Sequence, residues 1–333
     1  MRGAVPLLVV AALAGAAGSA AACRGDEGCS LNGRCLGGAC RCFAPWSGAS
    51  CGVLDELPGP RRAAWGRNGS APSWGGSAVP SGGRTHLFVA EMTGGCGLRN
   101  WGSNMRIVHA VAQEGPLGPY RELGVATPPQ STNPQAIVDA NGAWWLFHIG
   151  LGSNKSAGHP CPPPLLTAAR PRAPQQQVVH RSSGGPNGPW VPHSSIVCNN
   201  PAPALARDGS ARLLCDDSPH AMSVHKSTAG FGGPWESHTI VTGPASKTRP
   251  HANWEDPFLW QDARGHWHAL CHVYTPTQQC GGADPSSVTP ECNYISGHMF
   301  SRDGLTNWTV SEVEPFSFSI VYSDNTSGLV ATR

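Results

Sequence analysis

The chain has 333 residues, a formal net charge of +2 and only 13% charged residues. Low charge combined with 42 Gly and 31 Pro excludes coiled coils, long helical bundles and charge-driven disorder. The near-neutral balance leaves no basic footprint for a nucleic-acid partner.

Residues 1–22 read as a secretory signal. Met1-Arg2 gives a short basic start, Ala4 to Ala17 is apolar, and Gly18-Ser19-Ala20-Ala21-Ala22 offers small-residue cleavage sites. No later run reaches 18 apolar residues, so no membrane span is expected once the signal is removed. A secreted or extracellular-surface location follows, and disulfides are then permissible. N-x-S/T sequons stand at Asn68, Asn154, Asn307 and Asn325, so a glycoprotein is expected in a eukaryotic setting.

Six cysteines follow within residues 23–51: Cys23, Cys29, Cys35, Cys40, Cys42 and Cys51. Six cysteines allow fifteen pairings, and spacing alone does not choose among them. So short a segment needs staples to fold. A zinc site would want paired C-x-x-C spacings, which this segment lacks. CSLNGRCLGGACRCFAPWSGASC resembles the second part of an EGF-like domain, through the Cys40-x-Cys42 step, Pro45-Trp46, and Gly48 ahead of Cys51. That resemblance implies the pairs Cys23–Cys35, Cys29–Cys40 and Cys42–Cys51. Calcium-binding members carry acidic and amide residues before the first cysteine. Here Ala21-Ala22 precede it and Leu36-Gly37-Gly38-Ala39 fills the other relevant stretch, so no calcium site is expected. Arg24-Gly25-Asp26 matches an integrin-type tripeptide, although any tripeptide also occurs by chance. Residues 52–72 are rich in Pro and Gly and read as a linker.

Residues 73–310 contain a repeat. Asn133-Pro134 with Gly142, Asn200-Pro201 with Gly209, and Asp256-Pro257 with Gly265 share one Pro-to-Gly offset. Each Gly precedes a strand-like run: AWWLFHIG, SARLLCDD and HWHALCHV. A degenerate copy aligns Trp74-Gly75 with Gly83, ahead of RTHLFVAEM. Downstream in each copy, His109, His180, His225 or His298 stands ten or eleven residues before Tyr120, Trp190, Trp235 or Trp308. Short strands punctuated by Gly and Pro at a period near 60 residues predict propeller blades. The NPxxxxxxxG pattern, EDPFLWQDARGHWHAL and SRDGLTNW resemble the five-bladed propeller of the arabinanase, xylosidase and invertase group of glycoside hydrolases. The expected fold is all-β: a small disulfide-rich EGF-like module, then a five-bladed β-propeller over 73–333. Ser317 to Arg333 would open a fifth blade that is left incomplete, giving an exposed edge and low stability. Cys215 and Cys271 occupy one repeat column and read as small buried residues. Cys96 with Cys161, and Cys280 with Cys292, read as loop bridges.

In the resembling hydrolases, carboxylates meet at the channel mouth near the starts of the inner strands. One carboxyl protonates the leaving oxygen and the other activates water or attacks. Aligned on the repeat, the residues before the Pro position are Trp74, Asn133, Asn200 and Asp256, preceded by Ser73, Thr132, Asn199 and Glu255. Only the fourth copy carries acids there. Under an enzyme reading Glu255 is the acid, and Asp216, Asp217 or Asp256 is the base or its orienter, with Glu91 as a further option. Successive strand residues face opposite sides, so Glu255 and Asp256 share a face only across a bulge. Substrate-binding candidates are Trp74, Asn133, His148, Asn200, Trp254 and His272. Indoles offer stacking surface for sugar C–H faces, and amides hydrogen-bond hydroxyls. His148, His220, His251 and His272 are the histidines closest to the channel. The once-per-blade histidines cannot converge on one ion, and no H-E-x-x-H spacing occurs, so neither metal nor cofactor is expected. The sequence therefore reads as a secreted protein that recognises extracellular carbohydrate, with hydrolysis within reach of its carboxylates. The alternative is a non-catalytic adhesion or protein-binding scaffold, whose partner would be a cell-surface or matrix protein.

Overall fold

The computed structural model describes residues 23–61, 65–66, 71–97, 100–152, 161, 176–218, 221–242, 253–274, 294–317 and 319–329. The signal segment, the Asn68 and Asn154 sequons, His220, His251, Cys280 and Cys292 lie outside these residues.

The N-terminal module is built on three disulfides, Cys23–Cys35, Cys29–Cys40 and Cys42–Cys51. It holds two small hairpins, β1 (Gly33–Leu36) with β2 (Ala39–Cys42), and β3 (Trp46–Ser47) with β4 (Val53–Leu54). Asp26 accepts the Cys35 amide at 2.9 Å, so the carboxylate of the Arg24-Gly25-Asp26 tripeptide is already used inside the module.

Four antiparallel four-stranded sheets follow, each a meander in chain order. Blade one is β5 (Ser73–Ser81), β6 (Arg84–Met92), β7 (Met105–Ala112) and β8 (Tyr120–Thr127). Blade two is β9 (Thr132–Val138), β10 (Trp144–Ile149), β11 (Gln176–Ser182) and β12 (Val191–Val197). Blade three is β13 (Ala202–Leu205), β14 (Ala211–Ser218), β15 (Ala221–Ser227) and β16 (Glu236–Thr242). Blade four is β17 (Asn253–Gln261), β18 (Trp267–Tyr274), β19 (Tyr294–Ser301) and β20 (Thr309–Val310). One short helix, α1 (Trp101–Asn104), precedes β7. The last described element is a two-stranded hairpin, β21 (Ser319–Val321) with β22 (Ser327–Leu329).

The repeat works because each blade buries both faces of its middle strands. All six residues of β10 are buried, as expected of a strand packed on both sides rather than one half-exposed. Phe88 and Ile107 meet Ala136, Trp144 and Leu146 between the first two blades. Trp145, Phe147 and Val179 meet Leu213 and Phe231 between the second and third. Leu214 and Val224 meet Trp254, Leu259 and Trp267 between the third and fourth. Each glycine turn after the first strand lets the next return antiparallel. Three of the four repeat histidines are interior, in the pairs His86–His109, His148–His180 and His268–His298 at 3.0–3.1 Å, whereas His225 is half-buried against the Ser223 hydroxyl at 3.0 Å. The propeller is thus all-β with an N-terminal disulfide-rich region.

Two expectations change. Cys215 is not a lone buried residue but is bridged to Cys198. Its repeat-mate Cys271 is a buried free thiol, and the Cys96–Cys161 bridge forms. The stretch 52–72 also does more than link. The Leu54 amide donates to the Pro315 carbonyl at 2.7 Å, and Gly59 makes a parallel bridge to Tyr322 beside the last hairpin. The module itself sits on blade four. The Arg264 guanidinium donates to the Leu31 carbonyl and lies 4.4 Å from the centroid of Phe43. Arg302 Nε donates to Glu27 at 2.5 Å, and Trp46 lies 4.9 Å from His298, ring to ring.

Candidate axial site

The site starts from a backbone peculiarity. Asn133, Asn200 and Asp256 all have φ between 46 and 51°, and Gly75 has φ 54°. That left-handed conformation costs an ordinary L-residue roughly 1–2 kcal/mol, and Gly, Asn and Asp tolerate it best. In blades one, two and four the pairing of the first two strands slips at this residue, so each is a β-bulge at the start of the inner strand. In blades two and four the bulge turns a side chain, Asn133 and Asp256, toward its neighbours. The fourth member of the column is therefore Gly75, not Trp74, and the repeat alignment shifts by one residue in blade one. The composition of the column (Gly, Asn, Asn, Asp) was the sequence signal for this, because those residue types share tolerance of positive φ.

The left-handed residues of blades two, three and four bring their side chains together. Asn133 Nδ2 donates to Asn200 Oδ1 at 2.9 Å and to Asp256 Oδ1 at 2.8 Å. Asn133 Oδ1 accepts from Trp74 Nε1 at 2.9 Å and from Thr132 Oγ1 at 3.0 Å. An amide side chain has two donor hydrogens and two acceptor lone pairs, and all four are used within the protein. Asn133 is thus a saturated hub. Gly75 abuts it: a Cβ there would lie 3.3 Å from both its Cα and Oδ1.

Asn200 continues the network inward. Its Nδ2 donates to Asp216 Oδ2 at 3.3 Å, and Asn199 Nδ2 donates to the same oxygen at 3.4 Å. Asp216 is fully buried. A run of amides therefore joins Asp216 to Asp256. Cys271 lies near both acids: burial first, and then the charges of Asp216 and Asp256, push its thiol well above the ordinary range. Asp217 falls at the register shift in β14, and its side chain lies outside the described residues.

Solvent reaches the outer end. Asp256 is 38% exposed, and its Oδ2 lies 3.6 Å from Nδ1 of His272, which is 33% exposed. Glu255 is partly exposed and pairs across the ladder with His272. The bulge over Asp256-Pro257 separates Glu255 from strict alternation, the condition under which two consecutive carboxylates can serve one mouth.

Other expected residues sit elsewhere. Trp254 is 4% exposed and packs in the interface between blades three and four. Gly297 makes room for it, since a Cβ there would lie 2.4 Å from the indole. His148 is fully buried, bonded to His180 and to the Ile149 carbonyl. Burial and the neighbouring imidazole hold it neutral, with its pKa pushed down to about 3. Glu91 is buried against Arg106 at 2.7 Å. The structure thus groups Trp74, Asn133, Asn200, Asp216, Asp256 and His272, and sends Trp254 and His148 to the core.

No family model matches the chain, and no curated protein matches it. Among solved structures it is similar to an endo-arabinase from Bacteroides thetaiotaomicron, at 11% identity and TM-score 0.48, over 82% of this chain and 91% of that one. A family 117 glycoside hydrolase from Zobellia galactanivorans matches at 13% identity and TM-score 0.46, over 81% and 77%. A protein of unknown function from Dyadobacter fermentans matches at 13% identity and TM-score 0.49, over 81% and 76%. Likeness at this level concerns the fold and assigns no activity.

Proposed function

We propose that the chain recognises extracellular carbohydrate at the axial mouth, through Asp256, His272, Glu255 and the edge of Trp74. The observation that carries this is the amide hub. It fixes the Asp256 carboxylate from behind through Asn133 while leaving its second oxygen toward His272 and solvent. A rigid acceptor with an imidazole beside it and an indole nearby suits a polyhydroxyl ligand, which offers donors on its rim and C–H faces on its ring. Because Asn133 spends all four of its bonds internally, it orients Asp256 and does not itself hold the ligand. Asn200, one step further in, passes the contact on by donating to Asp216.

A hydrolytic reading has one specific observation in its favour, the bulge at Asp256-Pro257, which breaks the strict alternation that would turn Glu255 and Asp256 to opposite faces. Asp256 would then be the base or its orienter and Glu255 the acid. Buried Asp216, held by two amides, would set the charge at the inner end. Reducing-end release by the secreted protein from a polysaccharide panel, abolished by Glu255→Gln, tests this. Release unchanged in the variant removes Glu255 from the mechanism. Binding without release leaves recognition alone. A cell-surface or matrix protein partner is the competing assignment, and binding that ignores soluble sugars would select it.

A further inference from the structure

We infer that Asn307 carries an N-linked glycan whose first sugar seats in the cleft between the disulfide module and blade four, bracing one against the other. Of the sequons, Asn307 and Asn325 fall among the described residues. Asn325 stands in the turn of the last hairpin, whereas Asn307 lines a cleft of about 250 Å³ with Glu27 and Leu31 of the module and Phe300, Arg302 and Thr309 of blade four. That volume is just below the ~300–1,000 Å³ of small-molecule pockets, room for one sugar ring and not a chain. Leu31 and Phe300 are buried and apolar and form a floor, while Glu27, Arg302 and Thr309 form a polar rim.

The sequon is presented for modification. Asn307 and Thr309 are both exposed. Asn307 takes the left-handed conformation at φ 50°, and its amide has only a 3.3 Å bond to the Thr306 hydroxyl. The turn before it is held open from below: Asp303 accepts from the Leu305 and Thr306 amides and from the Thr306 hydroxyl. The same turn in blades one to three carries Gly-Pro (Gly118-Pro119, Gly188-Pro189, Gly233-Pro234) and no N-x-S/T sequon, since Asn187 is followed by Gly188-Pro189. Five disulfides among the described residues argue for folding in an oxidising compartment, where the donor for this reaction, an oligosaccharide linked to a polyprenyl diphosphate, is found. The Asn307 Nδ2–C1 bond forms and the C1–O bond to the diphosphate breaks. The amide gives up one proton, and the polyprenyl diphosphate leaves. The product keeps one N–H, enough to retain the Thr306 contact.

The cleft makes the glycan more than a surface ornament. The module is otherwise tied to blade four by Arg264, the exposed Arg302–Glu27 pair and the Trp46–His298 contact. Leu31 and Phe300 are already covered, so a sugar there adds hydrogen bonds from its hydroxyls to Glu27 of the module and Arg302 of blade four across the same seam.

The test uses the full chain secreted from a eukaryotic cell. Peptide-N-glycosidase treatment in heavy-oxygen water, followed by peptide mass mapping, reads occupancy at Asn307. Amide hydrogen exchange over residues 26–32 reads docking of the module. Occupancy is expected in the wild type and in Thr309→Ser, and is lost in Thr309→Ala and Asn307→Asp. With the glycan gone, exchange in the module rises about tenfold, since local opening is set by the contacts that oppose it. An unmodified Asn307 in the wild type overturns the proposal. So does an occupied Asn307 whose loss in both folded variants leaves module exchange unchanged.

Discussion

Asn133 and Asp256 lie 123 residues apart in sequence and two blades apart in the ring, yet the Asn133 amide donates to the Asp256 carboxylate at 2.8 Å. This bond ties the inner strands of blades two and four across the axis. Replacing Asn133 with Leu would leave the Trp74 indole N–H and the Asn200 carbonyl without their partner, at roughly 1–3 kcal/mol for each buried group stranded. It would also force a branched aliphatic residue into a left-handed backbone. Urea unfolding should show a loss of about 3 kcal/mol or more. Asn133→Asp keeps the backbone preference but sets a second carboxylate against Asp256, so its loss of stability should shrink as the pH is lowered toward 4.

Gly75 supplies a sharper steric test. Alanine there must hold φ 54° and place a methyl 3.3 Å from two atoms of Asn133. The expected loss is about 2 kcal/mol. Gly83→Ala, in the hairpin turn with nothing within 4 Å of its added methyl, carries the backbone strain without the contact. The difference between the two variants in thermal or urea unfolding isolates the axial contact.

Acid should unfold the protein earlier than its carboxylates alone would require. His109, His180 and His268 are pushed by burial to a pKa of about 4, and His148 and His298 to about 3. The unfolded chain binds these protons near pH 6.5, whereas the native state does not. Stability is therefore complete above pH 6.5 and falls as the pH drops through the window from 6.5 toward 4 and 3. Each histidine adds up to about 1.4 kcal/mol per pH unit to the slope. Urea midpoints measured from pH 7.5 to 4.5 should decline steadily, and a flat profile across that range would contradict neutral buried pairs.

The Cys198–Cys215 bridge joins the end of blade two to the second strand of blade three, closing a loop of 17 residues. A loop of about that length gives a chain-entropy contribution of roughly 3 kcal/mol. The double variant Cys198→Ala, Cys215→Ala should lower stability by that order. Mild alkylation of the native wild type should leave Cys271 unlabelled, because burial and two nearby acids keep its thiol protonated.

Much of this fold was legible in the chain. The strand and glycine-turn rhythm after Asn133, Asn200 and Asp256 reports directly on blade geometry, because each bulge and each turn requires its own residue type. The cysteine-rich segment was legible for a related reason, since it is too small to fold without bridges. The site was less so. Trp254 and His148 look like ligand residues by type, but whether an indole or imidazole faces the channel or the next blade depends on packing partners such as Gly297 and His180, 43 and 32 residues further along the chain. The one-residue shift that puts Gly75 in place of Trp74 follows from backbone dihedrals and not from spacing. Asn133 was expected to reach a ligand. Its saturation is visible only when four partners from four blades are assembled around it.

Carbohydrate binding at the axial mouth is the central claim to be measured. The measurement is retention of the secreted protein on a panel of immobilised polysaccharides, with dissociation constants for any that bind, for wild type, Asp256→Asn and His272→Ala. Both variants leave the hub's left-handed positions occupied by tolerant residues or untouched. The expected result is binding to at least one polysaccharide, weakened about tenfold or more in each variant, on the scale of one lost hydrogen bond to a charged group. Binding that is equal in all three proteins, or binding to none of the panel, would contradict it.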